Sequence, residues 1–455
     1  MWDKSYVEAR VPEVPTTLIE LMSHQNYADM MYGLDPNFRF TVGRAIYKGI
    51  ARFMAERKGR KLVIQPLPVS NFKIKRSKAD HYRLSWNPTP DKLEPTAMPN
   101  RYVIMERSGE DLGFHKIGET RSTHFDIKVT DHDIHSFYVI ATNEGGASFP
   151  SETLAIRESS TGQKPALIVN GFTRVSGPGH YSEGGKAGFD SESDFGVPYV
   201  RDISFTGHQN EFRRGAGNSF GLSYQNYITK VIAGNTFDYT AIHGRALVAA
   251  DPTIGFVSTS IGAVESGEYK LSDYFLVDMI MGKQKSTEVG KGYSGVHYKT
   301  FSETIQKQLR QYVDKGGNLM VSGEYIISDL NTTRSSESDR RFASEILGSE
   351  AGESDTSKSG TLRDCISGKK LSYSSTLNSK QYIVERPDVL LPSESATTTE
   401  FLRFGMDDRR AGHIVDRGKG EVAVMTIPLE SLSDNQERAV LVKEILKLLN
   451  VTPHK

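Results

Sequence analysis

"FSETIQKQLRQYVDKGGNLMVSGE", residues 301–324, carries the local pattern that decides the fold of the larger half of this chain. Ser302 is placed to cap a helix whose Ile305, Leu309, Tyr312 and Val313 recur at three- and four-residue spacing, forming one apolar face. Gly316 and Gly317 stop that helix, and "NLMVSG" follows as a short, nearly continuous apolar strand. A helix that runs into a strand apolar on both faces is the repeating unit of a parallel sheet covered on two sides. The strand delivers Glu324 at its carboxyl end, where open α/β sheets hold their ligands.

The same alternation extends over residues 165–455. Further strands are read at "ALIVNGF" (166–172), "TAIHG" (240–244), "GFVSTS" (255–260), "YFLVDMIMG" (274–282) and "EVAVMTI" (421–427). A last helix runs from Asp434 to Leu449 with Ser433 as its cap. The expected fold is a doubly wound, flavodoxin-like α/β domain, with Asn170, Gly171, His243, Asp278 and Glu324 as candidate ligand-binding residues. Two Gly/Ser-rich stretches, 174–196 and 348–360, read as surface loops. None of the glycine clusters follows a strand and opens a helix with a phosphate-binding lysine, so a nucleotide cradle is excluded.

Residues 66–158 change to period-two alternation broken by Pro, Gly, Asn and Asp, which predicts a β-sandwich with Trp86, Tyr102 and Tyr138 facing inward. Residues 1–62 predict one strand, Thr17 to Leu21, and one long helix with Val42, Ile46, Ile50 and Phe53 or Met54 on its apolar face. Glu20 would then stand at a strand's carboxyl end, a normal place for a general base. Hydrophobic residues make up 37% and Lys+Arg equals Asp+Glu at 56 each, so no electrostatic footprint for nucleic acid exists. The apolar runs are too short for a transmembrane segment. One cysteine, Cys365, excludes an intrachain disulfide and a cysteine zinc cage.

Three resemblances add to this reading. Pro15, Leu18, Ile19, Glu20, Asn26, Asp29 and "RAIYKGI" (44–50) resemble the C-terminal end of zinc-dependent N-acetylmuramoyl-L-alanine amidases, with Met22 where that family has Gly and Gln25 where it has Ser. The resemblance implies that Glu20 is the catalytic glutamate beside a zinc-bound water. The family's metal ligands precede this region in its order, and residues 1–19 hold no histidine. This chain is therefore expected to carry no cofactor and to be inactive as an amidase. Zinc is expected only with a missing N-terminal part, which would also hold the signal peptide of a periplasmic or cell-surface protein. "YVIATNEGGASFPSE" (138–152) resembles the last hairpin of a fibronectin type III domain.

Residues 300–324 together with 418–449 resemble the class I glutamine-amidotransferase-like fold, although Gly323-Glu324-Tyr325 stands where that family places its cysteine nucleophile. The three-part order is similar to Bacteroides-type multidomain proteins, some of them labelled xanthan lyase. The implied partner is peptidoglycan or another polysaccharide. The expected functions are an amidase whose zinc-binding half is absent, a non-catalytic glycan or cell-surface binder, or a polysaccharide-degrading enzyme acting through the α/β domain.

Overall fold

The computed structural model describes residues 6–109, 111, 113–190, 192–200, 233–350 and 359–451. A single helical turn, Val7–Arg10, is followed by helices Tyr27–Gly33 and Pro36–Arg57. Asn26 caps Tyr27–Gly33 by accepting from the Ala28 amide at 2.9 Å, and Asp35 caps Pro36–Arg57, with Pro36 at its first position. Residues 15–22 form no strand, contrary to the expectation for Thr17–Leu21. An extended segment needs a neighbouring ladder for its backbone groups, and none pairs with it among the described residues. Glu20 is therefore exposed on an irregular stretch, and the apolar face of helix Pro36–Arg57 also meets solvent, Ile50 being 59% exposed.

The middle block is a sandwich. Strands Ser70–Lys78, His81–Asn87 and His124–Lys128 form one sheet, and His115–Thr120, Arg101–Ser108, His135–Asn143, Gly146–Ala147 and Leu154–Ile156 the other, the last also pairing with His135–Asn143. Trp86 and Tyr102 meet edge-on at 5.2 Å in its core. Tyr138 does not face inward as expected. Phe137 and Val139 fill the core instead, and Tyr138 packs outside against Phe114. A one-residue slip in register exchanges every side chain between faces, and "SFYVIA" is apolar on both.

Five parallel strands follow, in the spatial order Phe256–Ser260, Ala166–Asn170, Leu276–Gly282, Asn318–Gly323, Val422–Met425. Antiparallel strands Arg410–Asp416, Thr397–Phe404, Thr361–Asp364 and Lys370–Ser372 extend the sheet on one side. On the other side Lys73 pairs with Thr259, fusing the first sandwich sheet to the α/β sheet. Leu167, Val169, Met279 and Val321 enter a core with Ile305, Leu309 and Val313 of helix Glu303–Asp314. Their neighbours Ile168, Ile280 and Met320 enter a second core with Leu247 of helix Thr240–Ala250 and Ile445 of helix Asn435–Leu448. Alternate residues of the same strands thus face two helical layers. The chain is multidomain and strand-rich, with mixed sheets.

Ser302 accepts from the Ile305 amide at 3.3 Å, as its capping role predicts. Asp434, not Ser433, caps the last helix, accepting from the Gln436 amide at 2.5 Å. "TAIHG" is not a strand but the start of helix Thr240–Ala250, because the helix formers Ala246, Leu247 and Ala249 continue the run. Gly244 in this helix lies against Phe256, and a Cβ there would stand 2.1 Å from the ring's Cζ. Gly→Ala in an exposed helix stabilises by about 1 kcal/mol, but overpacking costs about 1–3 kcal/mol and dominates here. Gly244→Ala is expected to lower the thermal midpoint, and calorimetry showing an unchanged or raised midpoint contradicts this.

Candidate functional site

In the strand order above, the chain reverses its direction of winding between Ala166–Asn170 and Leu276–Gly282. Loops leaving the carboxyl ends of these two strands diverge and open a crevice. Arg174 stands on the first loop, Lys283 and Lys285 on the second, and Glu324 and Tyr325 follow the next strand, Asn318–Gly323. Asp194 comes from the stretch 174–196, and Glu385, Arg386 and Asp388 from a distant loop.

These residues form a buried ionic network under the crevice. Arg174 Nη2 donates to Asp194 Oδ2 at 2.5 Å, and Lys283 Nζ donates to Glu385 Oε1 and Oε2 at 2.7 and 2.6 Å. Burial opposes ionisation of Asp194, but Arg174, Lys285 and Lys283 outweigh it and hold the carboxyl well below its usual range. Glu324 accepts from the Arg386 amide at 2.7 Å, while its Oε2 is buried with no partner among the described residues. Burial and the neighbouring Glu385 raise Glu324 to about 8, with Lys283 opposing, so it is protonated at neutral pH.

Above the network lies a cleft made of two connected hollows of 710 and 410 Å³, which share Ser193, Lys285, Ser286 and Glu288. Its charges are largely paired: Lys299 with Asp339 at 2.7 Å, Arg334 with Glu288 at 2.7 Å. Lys285 stands 4.6 Å above the Tyr325 ring and 3.6 Å from Asp194. Asp388 lines the larger hollow and accepts from the Ile327 and Ser328 amides, and burial raises it to about 6 against those hydrogen bonds. Burial pushes the Tyr325 hydroxyl well above 10, which keeps it protonated and unable to accept a proton at neutral pH.

His243 and Asp278 come together elsewhere. His243 lies on a helix rather than at a strand end, and Asp278 sits mid-strand, so neither reaches the cleft. His243 Nδ1 is 2.7 Å from Asp278 Oδ2 and Nε2 is 3.1 Å from Glu430 Oε2, while the Tyr382 hydroxyl donates to Glu430 Oε1 at 2.7 Å. Burial would push the imidazole down, but Asp278 and Glu430 overcome it and hold His243 at about 9. Both ring nitrogens therefore donate at neutral pH.

Asn170 is buried, donating to Glu152 Oε2 at 2.5 Å, with its Oδ1 unpartnered among the described residues. A Cβ on Gly171 would stand 2.7 Å from Met281 Sδ, so this glycine lets the two switch-point strands approach. Glu20 is exposed and lines neither hollow. No group of three or more His, Cys, Asp or Glu among the described residues can hold a metal ion, and exposed Glu20 beside exposed His24 does not fit a zinc centre.

The stretch 174–196, read as a surface loop, instead contributes the buried Arg174 and Asp194 and a hairpin, His180–Glu183 with Lys186–Phe189. Of the second stretch read as a loop, residues 351–358 lie outside the described residues. Sequence reasoning also missed Lys283, Lys285, Glu385, Asp388, Glu430 and Tyr382. The two lysines directly follow the strand run "YFLVDMIMG", and the strand-end rule could have found them.

No family model matches the sequence, and no curated protein matches it. Among solved structures, titin domains A168–A170 match at 23% identity over 20% of this chain and 30% of theirs, with a TM-score of 0.18. The chain thus spans under a third of that titin segment. A fibronectin type III domain of the human fibronectin type III domain containing protein 3 matches at 18% identity over 21% of this chain and 86% of its own, TM-score 0.18. Gan42B, a GH42 β-galactosidase, matches at 18% identity over 50% of this chain and 28% of its own, TM-score 0.32. The fibronectin type III fold of residues 70–156 rests on the strand pairing described above. No helix among the described residues is long and apolar enough to cross a membrane.

Proposed function

We propose that this chain is the recognition part of an exported bacterial modular protein related to peptidoglycan amidases, and that it binds peptidoglycan or another polysaccharide without turning it over. The observation that carries this reading is the cleft outside the switch point, where hydroxyls and mutually paired charges alternate. Sugar hydroxyls donate and accept at once, so a wall offering both suits them, and a wall of paired charges imposes no requirement for a net-charged ligand. The α/β domain is read as a flavodoxin-like, glutamine-amidotransferase-like domain without its nucleophile. The strand order and Glu324-Tyr325 at the end of strand Asn318–Gly323 support that reading. A polysaccharide-degrading role has less behind it, since Tyr325 stays protonated at neutral pH and His243 and Glu324 occupy separate clusters.

Incubation of the full chain with purified peptidoglycan sacculi, chitin and cellulose tests the proposal. Co-sedimentation with at least one polymer is expected, without release of stem peptides or reducing ends. Failure to sediment with any of them sinks the reading, and turnover overturns its non-catalytic part.

A second reading keeps amidase chemistry in a longer protein. It is favoured by the apolar side chains of Leu18, Ile19, Ile46, Ile50 and Met54, which are exposed and suited to packing against further amidase structure. Zinc would come with that structure. The test is release of stem peptides from sacculi by a protein that includes any in-frame upstream sequence, with Glu20→Gln as the control expected to abolish it.

A further inference from the structure

We infer that the 410 Å³ hollow is a saccharide subsite built jointly by the N-terminal segment and the α/β domain, an inference that rests on the polysaccharide-binding reading above. Leu34 and Asp35 form one wall, Ser176, Tyr181 and Asp194 a second, and Lys285 joins the hollow to the rest of the cleft. Its volume lies within the roughly 300–1,000 Å³ of small-ligand sites.

The seam between the two parts is specific. The Tyr27 hydroxyl donates to the Tyr181 carbonyl at 3.3 Å, Asn37 Nδ2 to the Val175 carbonyl at 3.2 Å, and the Tyr298 hydroxyl to Asn37 Oδ1 at 3.0 Å. Tyr32 and Tyr293 stack at 6.5 Å and 8°. The N-terminal helices are thus held on the α/β domain at the place where the cleft opens.

Two features point to what enters. Ser176 is 2% exposed, lines the hollow, and its Oγ has no partner among the described residues. A buried hydroxyl left unmade is costly, and a polar group entering the hollow satisfies it. Tyr181 is 46% exposed and pairs across its hairpin with Gly188, whose missing side chain leaves room for the ring. An exposed aromatic ring beside an unsatisfied hydroxyl matches a pyranose, which offers an apolar C–H face and a polar edge. Arg174 is offset by Asp194, and Lys285 shares the hollow with Asp35, Asp190 and Glu288, so the hollow selects a neutral polyol rather than a small anion.

The test uses binding isotherms of the full chain on sacculi, chitin and cellulose. Tyr181→Ala is expected to weaken binding by about tenfold, while Tyr181→Phe retains it. Ser176→Ala weakens binding with no fall in thermal midpoint, because the hydroxyl it removes bonds nothing in the free protein. Wild-type affinity in both alanine variants overturns the subsite and leaves the polysaccharide reading standing. Absence of wild-type binding to all three polymers removes both. Displacement of the polymer by excess inorganic phosphate overturns the neutral-polyol assignment.

Discussion

Replacing His243 with leucine is expected to lower the unfolding free energy by about 3–5 kcal/mol near neutral pH, the usual cost of removing one partner from a buried ionic group. The imidazolium stands between Asp278 and Glu430, all three fully buried, and the substitution leaves two carboxylates without their shared donor. The pH dependence gives a second readout. His243 titrates at about 9 in the folded protein against 6.5 for a free histidine, because the two carboxylates outweigh burial. Its stabilisation is therefore present in full below pH 6.5 and disappears as pH rises through 9, a change of about 3 kcal/mol by linkage. Denaturant unfolding at pH 6, 7.5 and 9 should show wild-type stability falling across this window and the variant losing part of that slope. A variant as stable as wild type, with an unchanged slope, removes the argument.

The local elements were legible in the sequence, while the site was legible only in part. Ser302, Ile305, Leu309 and Gly316 define their helix through neighbours three and four residues apart, so periodicity suffices. Thr17–Leu21 has strand-like composition, but a strand exists only with a pairing partner, and composition does not report one. Tyr138 and Phe137 are both aromatic, so the inward face is chosen by the register with Arg101–Ser108 rather than by either residue. Asn170, Gly171 and Glu324 stand at strand carboxyl ends, as the local strand-end rule expects, but none of them lines either hollow. The partners are not local: Lys283 meets Glu385 across 102 residues and His243 meets Glu430 across 187. Only the folded sheet brings those segments together, and Lys283, Glu385 and Glu430 in isolation read as ordinary surface charges.

Glu324→Gln is expected to stabilise the protein by about 4–5 kcal/mol at pH 8 and above, with the gain vanishing toward pH 4.5. Burial and Glu385 raise the folded carboxyl to about 8 from an ordinary value of 4.5, against the pull of Lys283. A group raised in this way contributes fully below its unfolded value, and the contribution is lost as pH climbs through the folded one. Glutamine keeps the shape and the acceptor for the Arg386 amide but never ionises, so it escapes that loss. If the variant is instead less stable at pH 8, Glu324 is ionised and serves as a partner of Lys283, and the assignment fails. The protonation state also bears on the cleft above. With Glu324 neutral, Arg174 balances Asp194, Lys283 balances Glu385 and Lys285 opposes Asp388, so these six side chains carry no net charge. An ionised Glu324 would make the group negative and repel acidic sugars. A titration of stability in the glutamine variant therefore also tests whether the cleft is electrically suited to an uncharged polymer.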